Sequence, residues 1–188
     1  MLMIMSKVEA VNIILSAIGG APVDTLDDND DVDVDNILRL IDRVSRDIQL
    51  KGWDFNTCSL VLTPDALSHK IMWNDSILKF TSSDGHTYAK RGAYLFDMTD
   101  GTFVFDNSIT LQVIMAVDFE DLPQTFANYV TAKAALEFQT RYMGDGDVSQ
   151  DLVRELQETE QELVTYDLSM GNYNMLQVTG VAAALNRT

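Results

Sequence analysis

The chain has 188 residues, 13 of them Lys or Arg and 29 Asp or Glu, for a formal net charge of −16 at pH 7. That length suits one generous domain or two small ones and buries roughly 70% of its extended-state surface, so folding needs neither disulfide nor metal. A hydrophobic content of 46% places the chain outside the disordered class. The single cysteine, Cys58, excludes an internal disulfide, and the acidic excess argues against tight binding to duplex DNA or RNA.

The apolar stretch Met1 to Met5 precedes Lys7, the reverse of a secretory signal's basic-then-apolar order, so no export signal is expected. Ser6-Lys7-Val8-Glu9 fits a capping box with Ser6 as N-cap. Val8, Val11, Leu15 and Ile18 then share one helical face, and Gly19-Gly20 with Pro22 stops the helix. A second helix is predicted from Val34, Ile37, Leu38, Ile41, Val44 and Ile48, ending at Gly52.

From Trp53 to Leu122 the pattern becomes strand-like. Short segments rich in β-branched and aromatic residues run over 59–62, 77–81, 87–90, 94–96, 103–105 and 110–117. Ser83-Asp84-Gly85, Arg91-Gly92 and Thr99-Asp100-Gly101 separate them with turn chemistry. Asp84-Gly85 and Asp100-Gly101 are the expected hairpin turns, in an antiparallel meander or small sandwich. The longest apolar runs, such as Leu111 to Val117 broken by Gln112, are far short of the ~20 residues of a membrane span, so no membrane contact is expected.

After Pro123 the helical period returns. Phe126, Tyr129, Val130, Lys133, Ala134 and Glu137 open a helix that reaches about Met143 and stops at Gly144. Asp147 is the expected cap of another, whose apolar stripe is Leu152, Leu156, Leu163, Tyr166 and Met170. The expected class is α+β: a helical bundle built from N-terminal and C-terminal helices with an inserted antiparallel β domain. Its parts would be N-terminal helices over 1–52, the β domain over 53–122, C-terminal helices over 123–170, and an extended tail over 171–188.

Candidate chemistry is thin. Seven aspartates lie between Asp24 and Asp35, but in a calcium-loop frame from Asp27 Val32 stands where Gly is needed and Leu38 where a bidentate Glu closes the shell. The last acids of this run are better placed at the positive end of the second helix's dipole, worth roughly 0.3–1 kcal/mol each. Neither His69, near a possible single turn over 65–70, nor His86, a strand-start residue after Asp84-Gly85, sits in a nucleophile or zinc motif. Gly144-x-Gly146 lies between helices, not after a strand, which disfavours dinucleotide binding. No catalytic, cofactor-binding or metal-ligating residue is expected, and no cofactor.

Trp53 and Phe55 are expected as core anchors. The last helix carries Asp147, Asp151, Glu155, Glu158, Glu160, Glu162 and Asp167 against Arg154 alone. Like charges on one helix cost a few tenths of a kcal/mol per pair, a cost explained by a wall that must not adhere to nucleic acid. Tyr173, Asn174, Met175 and Leu176 follow the last helix and combine an aromatic with two flexible apolar residues, making them the candidate partner-binding segment.

The run Asn12 to Gly19, followed by Pro22-Val23 and Thr25-Leu26, resembles the opening of the tail tubular protein A family. The resemblance continues through Arg46 to Gln49, Gly52 to Asn56, Arg91 to Tyr94 with Asp97, and Phe105-Asp106 with Ile109-Thr110. Thr131 to Ala134, Phe138, Arg141-Tyr142, Gly144 and the Gly171-x-Tyr173-Asn174-Met175-Leu176 stretch match as well, and the Asp-rich loop and 177–188 depart from it.

This family is the head-to-tail adaptor of short-tailed, autographivirus-type bacteriophages. The resemblance implies a non-enzymatic virion protein, assembled in the host cytoplasm, that forms a dodecameric ring between the portal protein and the tail nozzle protein. Double-stranded DNA would pass through its channel without specific binding. Two other readings compete: an acidic DNA mimic that inhibits a DNA-binding enzyme, and a carboxylate-based phage glycan hydrolase. Acids clustered in one loop and one helix disfavour the first, and 29 acids make any carboxylate pair uninformative for the second.

Overall fold

The computed structural model describes residues 5–27, 31–144 and 146–170. The protein is α+β, with helices at both ends of the chain and small antiparallel sheets between them. Its contacts divide it into two units: residues 45–118, and the remainder before and after them. Among the described residues no helix is long and apolar enough to cross a membrane.

In the helical unit, α1 (Lys7–Ala17) begins at Ser6, whose hydroxyl accepts the Glu9 N–H at 3.2 Å. It buries Ala10, Val11, Ile14 and Leu15. From within α1, the Asn12 side chain accepts the Val23 N–H at 2.8 Å and donates to the Val23 carbonyl at 2.9 Å, tying the returning chain to the helix. α2 (Val32–Gln49) has Asp33 and Asp35 in its first turn, at the positive end of its dipole. Its buried stripe is Val34, Ile37, Leu40, Ile41, Val44 and Ile48, with Leu40 taking the place expected for the half-buried Leu38.

α3 (Gln124–Phe138) packs against α1 and α4 (Gly146–Met170) and buries Phe126, Val130, Ala134 and Phe138 completely. It runs on through a π turn over 139–143 to Gly144. Within that turn the buried Gln139 accepts the Ser149 hydroxyl of α4 at 2.6 Å. Arg43 of α2 and Arg141 both pair with Glu137 on α3. α4 starts at Gly146, one residue before its expected cap. Only Leu152 and Leu163 of its stripe are buried; Leu156 and Tyr166 are half-buried and Met170, at the helix end, is 59% exposed.

The 45–118 unit holds β1 (Thr57–Leu62), β2 (Ile77–Ser82), β3 (Tyr88–Arg91), β4 (Tyr94–Asp97) and β5 (Ile109–Met115). The expected meander is corrected: the strand order is β1-β5-β2, antiparallel, with β3-β4 a separate hairpin. β5 has the burial for the central place, since Leu111 and Val113 are both fully enclosed. With Leu62, Ile71, Ile77, Tyr88, Leu95 and Phe105 they make one apolar cluster.

The expected hairpin turns are corrected as well. Asp84-Gly85 joins β2 to β3, which belong to different sheets, and Asp100-Gly101 doubles back only to a Thr102–Asp97 bridge. The true hairpin turn is Gly92-Ala93, between the Arg91–Tyr94 pair, with Gly92 at φ +61° where a side chain would be strained. Nor is 103–105 a strand. The outer edge of β4 is already taken by Ile71 and Met72, so Phe105 contributes its ring to the core and a single N–H bond to His69 O at 2.8 Å.

Two buried amides fasten the last turn of α2 to β5. Gln49 accepts the Val117 N–H at 2.7 Å and donates to the Val117 carbonyl at 3.0 Å and to Ser45 Oγ at 2.9 Å. Asn56 donates to the carbonyls of Gln49 and Met115, each at 3.1 Å, while its side-chain oxygen accepts the Trp53 N–H at 2.9 Å. Gly52 separates them at φ +81°, where a Cβ would lie 2.8 Å from Ile114 Cδ1. Trp53 and Phe55 are half-buried, and the Trp53 indole N–H bonds Ile48 O at 2.7 Å.

Leaving a buried polar group unsatisfied costs about 1–3 kcal/mol. Asn56→Ala, which removes three buried hydrogen bonds at once, is therefore expected to destabilise the 45–118 unit by about 2–4 kcal/mol. A urea titration followed by the fluorescence of Trp53 and Trp73, both in this unit, measures it.

Candidate functional site

The only described group of three metal-competent side chains stands at the open end of the β3-β4 hairpin. His86 lies two residues before β3, Asp97 ends β4, and Asp100 lies in the turn beyond. His86 Nδ1 is 2.7 Å from Asp97 Oδ2 and 3.9 Å from Asp100 Oδ2. Asp97 is enclosed, its side chain 6% exposed, whereas those of His86 and Asp100 are 38% and 62% exposed.

The surrounding bonds hold this geometry. Asp97 Oδ1 accepts the backbone N–H groups of Thr99 at 2.8 Å and Asp100 at 3.2 Å. On the other strand, the His86 backbone N–H donates to Asp84 Oδ1 at 2.9 Å, and the Tyr88 hydroxyl donates to Asp84 Oδ2 at 2.7 Å. The His86 ring stacks on Tyr88 at 6.1 Å and 11°. Thr87 N–H to Thr99 Oγ1, at 2.9 Å, and Met98 N–H to Thr87 O, at 2.8 Å, bolt the two segments together.

Each charge responds to this setting. The hydrogen bond to Asp97 raises the His86 pKa above 6.5 against an opposing effect of burial, and the charges of Asp97, Asp100 and Asp84 reinforce it. Burial pushes Asp97 up, but the N–H of Asp100, the His86 ring and the N–H of Thr99 together hold it below 3.8. The Ser82 hydroxyl, opposed by burial and aided by the His86 N–H and the Tyr88 hydroxyl, lowers Asp84 to about 2. Burial, then the Asp84 hydrogen bond, pushes the Tyr88 phenol well above its ordinary 10.0.

His86 thus stands ahead of β3 and does not start it, with its ring held against Asp97. The signal was present in the sequence but needed the turn: counting outward from Gly92-Ala93 sets Tyr88 opposite Asp97, and two further places bring His86 level with Thr99 in the 97–100 turn. His69 is exposed at φ +54°, in a single turn closed by its own N–H to Asp65 O at 2.8 Å. Cys58 is exposed on β1. The acids Asp151, Glu155, Glu158, Glu160 and Glu162 stand exposed on α4, where Arg154 lies 3.7 Å from Asp151. The partner-binding segment Tyr173 to Leu176 lies outside the described residues.

The comparison with known proteins settles the class. The tail tubular protein family model matches residues 8–173, so the chain belongs to that family, structural proteins of phage tails. Within it, the chain is similar to tail tubular protein A of Klebsiella phage KP34, 30% identical over 138 residues that cover 70% of this chain and 73% of that protein.

The shifted groups fix a pH profile for the metal-free β unit. His86 has a raised folded pKa, so its stabilisation is complete below 6.5 and fades as pH climbs through the raised value. Asp97 and Asp84 are lowered, so theirs is complete above 3.8 and fades on acidification, for Asp84 through about 2. Stability of this unit is expected to peak between about pH 4 and 6.5 and decline toward pH 8. Urea midpoints measured in chelator-containing buffer check this, with His86→Gln expected to flatten the decline.

Proposed function

We propose that this tail protein is a ring-forming head-to-tail adaptor, twelve copies joining the portal protein to the tail nozzle protein and lining part of the DNA ejection channel. It assembles in the host cytoplasm and resides at the head-tail junction of the virion. The observation that carries this reading is the family match from residue 8 to residue 173 in a chain of net charge −16. Its part there is that of a scaffold and not of a catalyst, in keeping with a family of structural tail proteins.

A closed ring of identical copies requires heterologous contacts, one face of a subunit meeting a different face of the next. Exposed apolar side chains on α4, Val153, Val164 and Leu168, give such contacts material to bury. The free edges of the three-stranded sheet suit contact with the next tail component. Acidic α4 surface facing the channel repels phosphate and lets DNA slide, where Lys and Arg contacts would have to break repeatedly. The segment Tyr173 to Leu176 docks on the portal.

Electron microscopy of the protein mixed with its portal tests the assignment. A twelve-fold ring seated between portal and nozzle is expected; a subunit that stays monomeric beside the portal overturns it. Truncation of residues 171–188 is expected to abolish portal co-sedimentation while leaving the far-ultraviolet circular dichroism of a folded α+β protein. Retained co-sedimentation would refute the docking role of that segment.

A further inference from the structure

We propose that His86, Asp97 and Asp100 form a binding site for a divalent first-row transition cation, with Zn²⁺ as its representative. The inference rests on the geometry of the hairpin's open end and is independent of the adaptor reading.

The three donor atoms, His86 Nδ1 and one carboxylate oxygen from each aspartate, all lie within 4.8 Å of one another. Around a tetrahedral Zn²⁺ with ligand distances near 2.0–2.2 Å, donor atoms stand about 3.3–3.5 Å apart. His86 Nδ1 is 2.7 Å from one carboxylate oxygen and 3.9 Å from the other, on either side of that spacing. Both of these spacings thus differ from those of a ligand set by well under about 1 Å.

Its charge favours the same outcome. A single imidazole N–H serves Asp97 and leaves Asp100 beyond hydrogen-bond range of that nitrogen. With Asp84 accepting from the His86 backbone, three carboxylates surround one imidazole in a protein that is already strongly acidic. A dication coordinated by both aspartates balances what one proton does not.

The donor set also selects the ion. An imidazole nitrogen with two carboxylate oxygens suits Zn²⁺, Ni²⁺ or Fe²⁺, while Mg²⁺ and Ca²⁺ favour all-oxygen shells. The outer shell is in place before any ion arrives. Asp97 is fixed through Oδ1 by two backbone amides, which leaves Oδ2 directed at the imidazole, and Asp84 anchors the backbone of His86. Three protein ligands leave a fourth position, on the exposed side of Asp100, for water. Binding would clamp the chain entering β3 to the chain leaving β4.

Isothermal titration of the chelator-treated full-length protein with ZnCl₂ and MgCl₂, with parallel thermal unfolding, tests this. One Zn²⁺ per chain and a saturable rise in Tm are expected, with no response to Mg²⁺. His86→Gln and Asp100→Asn should each weaken Zn²⁺ binding at least about tenfold. Circular dichroism confirms their folding, and the exposure of Asp100 makes its variant the safer of the two. His69→Gln and Cys58→Ser, which remove the other imidazole and the only thiol, should leave affinity unchanged. Absence of binding, unchanged affinity in both His86→Gln and Asp100→Asn, or loss of binding in His69→Gln or Cys58→Ser would each overturn the assignment.

Discussion

Two carboxamides with nowhere else to bond decide how the β unit is put together. Gln49 and Asn56 are both almost fully enclosed, and a buried amide without partners is too costly to persist. Each finds those partners in the backbone at the far end of β5, at Val117 and Met115. The last turn of α2 and the last residues of β5 therefore share one hydrogen-bonded knot, with Gly52 as the only residue type that fits the bend between them. From that fixed end β5 runs down the middle of the sheet, pairing with β1 and β2 on either side.

The register that follows places Leu111 and Val113 in the apolar cluster, where they meet Tyr88 and Leu95 from the hairpin. Tyr88 is the hinge between packing and polarity. Its ring belongs to the core and stacks on His86, while its hydroxyl reaches Asp84. The charged end of the hairpin is thus supported from below by apolar contact and closed from above by backbone amides. A cluster built this way holds its spacing without relying on the screened attraction of exposed ion pairs.

Helices were the legible part of this chain, because their apolar residues recur on one face and their ends carry chemical marks. Ser6 caps α1, and the stripe from Val34 to Ile48 needed only one substitution of Leu40 for Leu38. Strand positions were also close, but strand partnership was not. A run of alternating residues says which side faces inward and nothing about which neighbour it pairs with, so β5 between β1 and β2 was invisible. Phe103 to Phe105 has the composition of a strand yet finds the edge of β4 occupied. The His86 cluster escaped notice for the same reason: its members are close only once the Gly92-Ala93 turn is known to set the pairing.

The two rims of the three-stranded sheet are not equally defended. β2 is broken by an irregularity between Ile77 and Lys79 and carries a lysine, both of which discourage a stranger from zipping alongside. β1, reading Thr-Cys-Ser-Leu-Val-Leu, has neither charge nor kink, and its Val61 is 60% exposed. The net charge of −16 on each copy opposes joining there, through a repulsion that acts over roughly a Debye length of 8–10 Å at ordinary salt and shrinks as salt is added. Added salt is accordingly expected to favour edge-to-edge association at β1, which dilute buffer opposes.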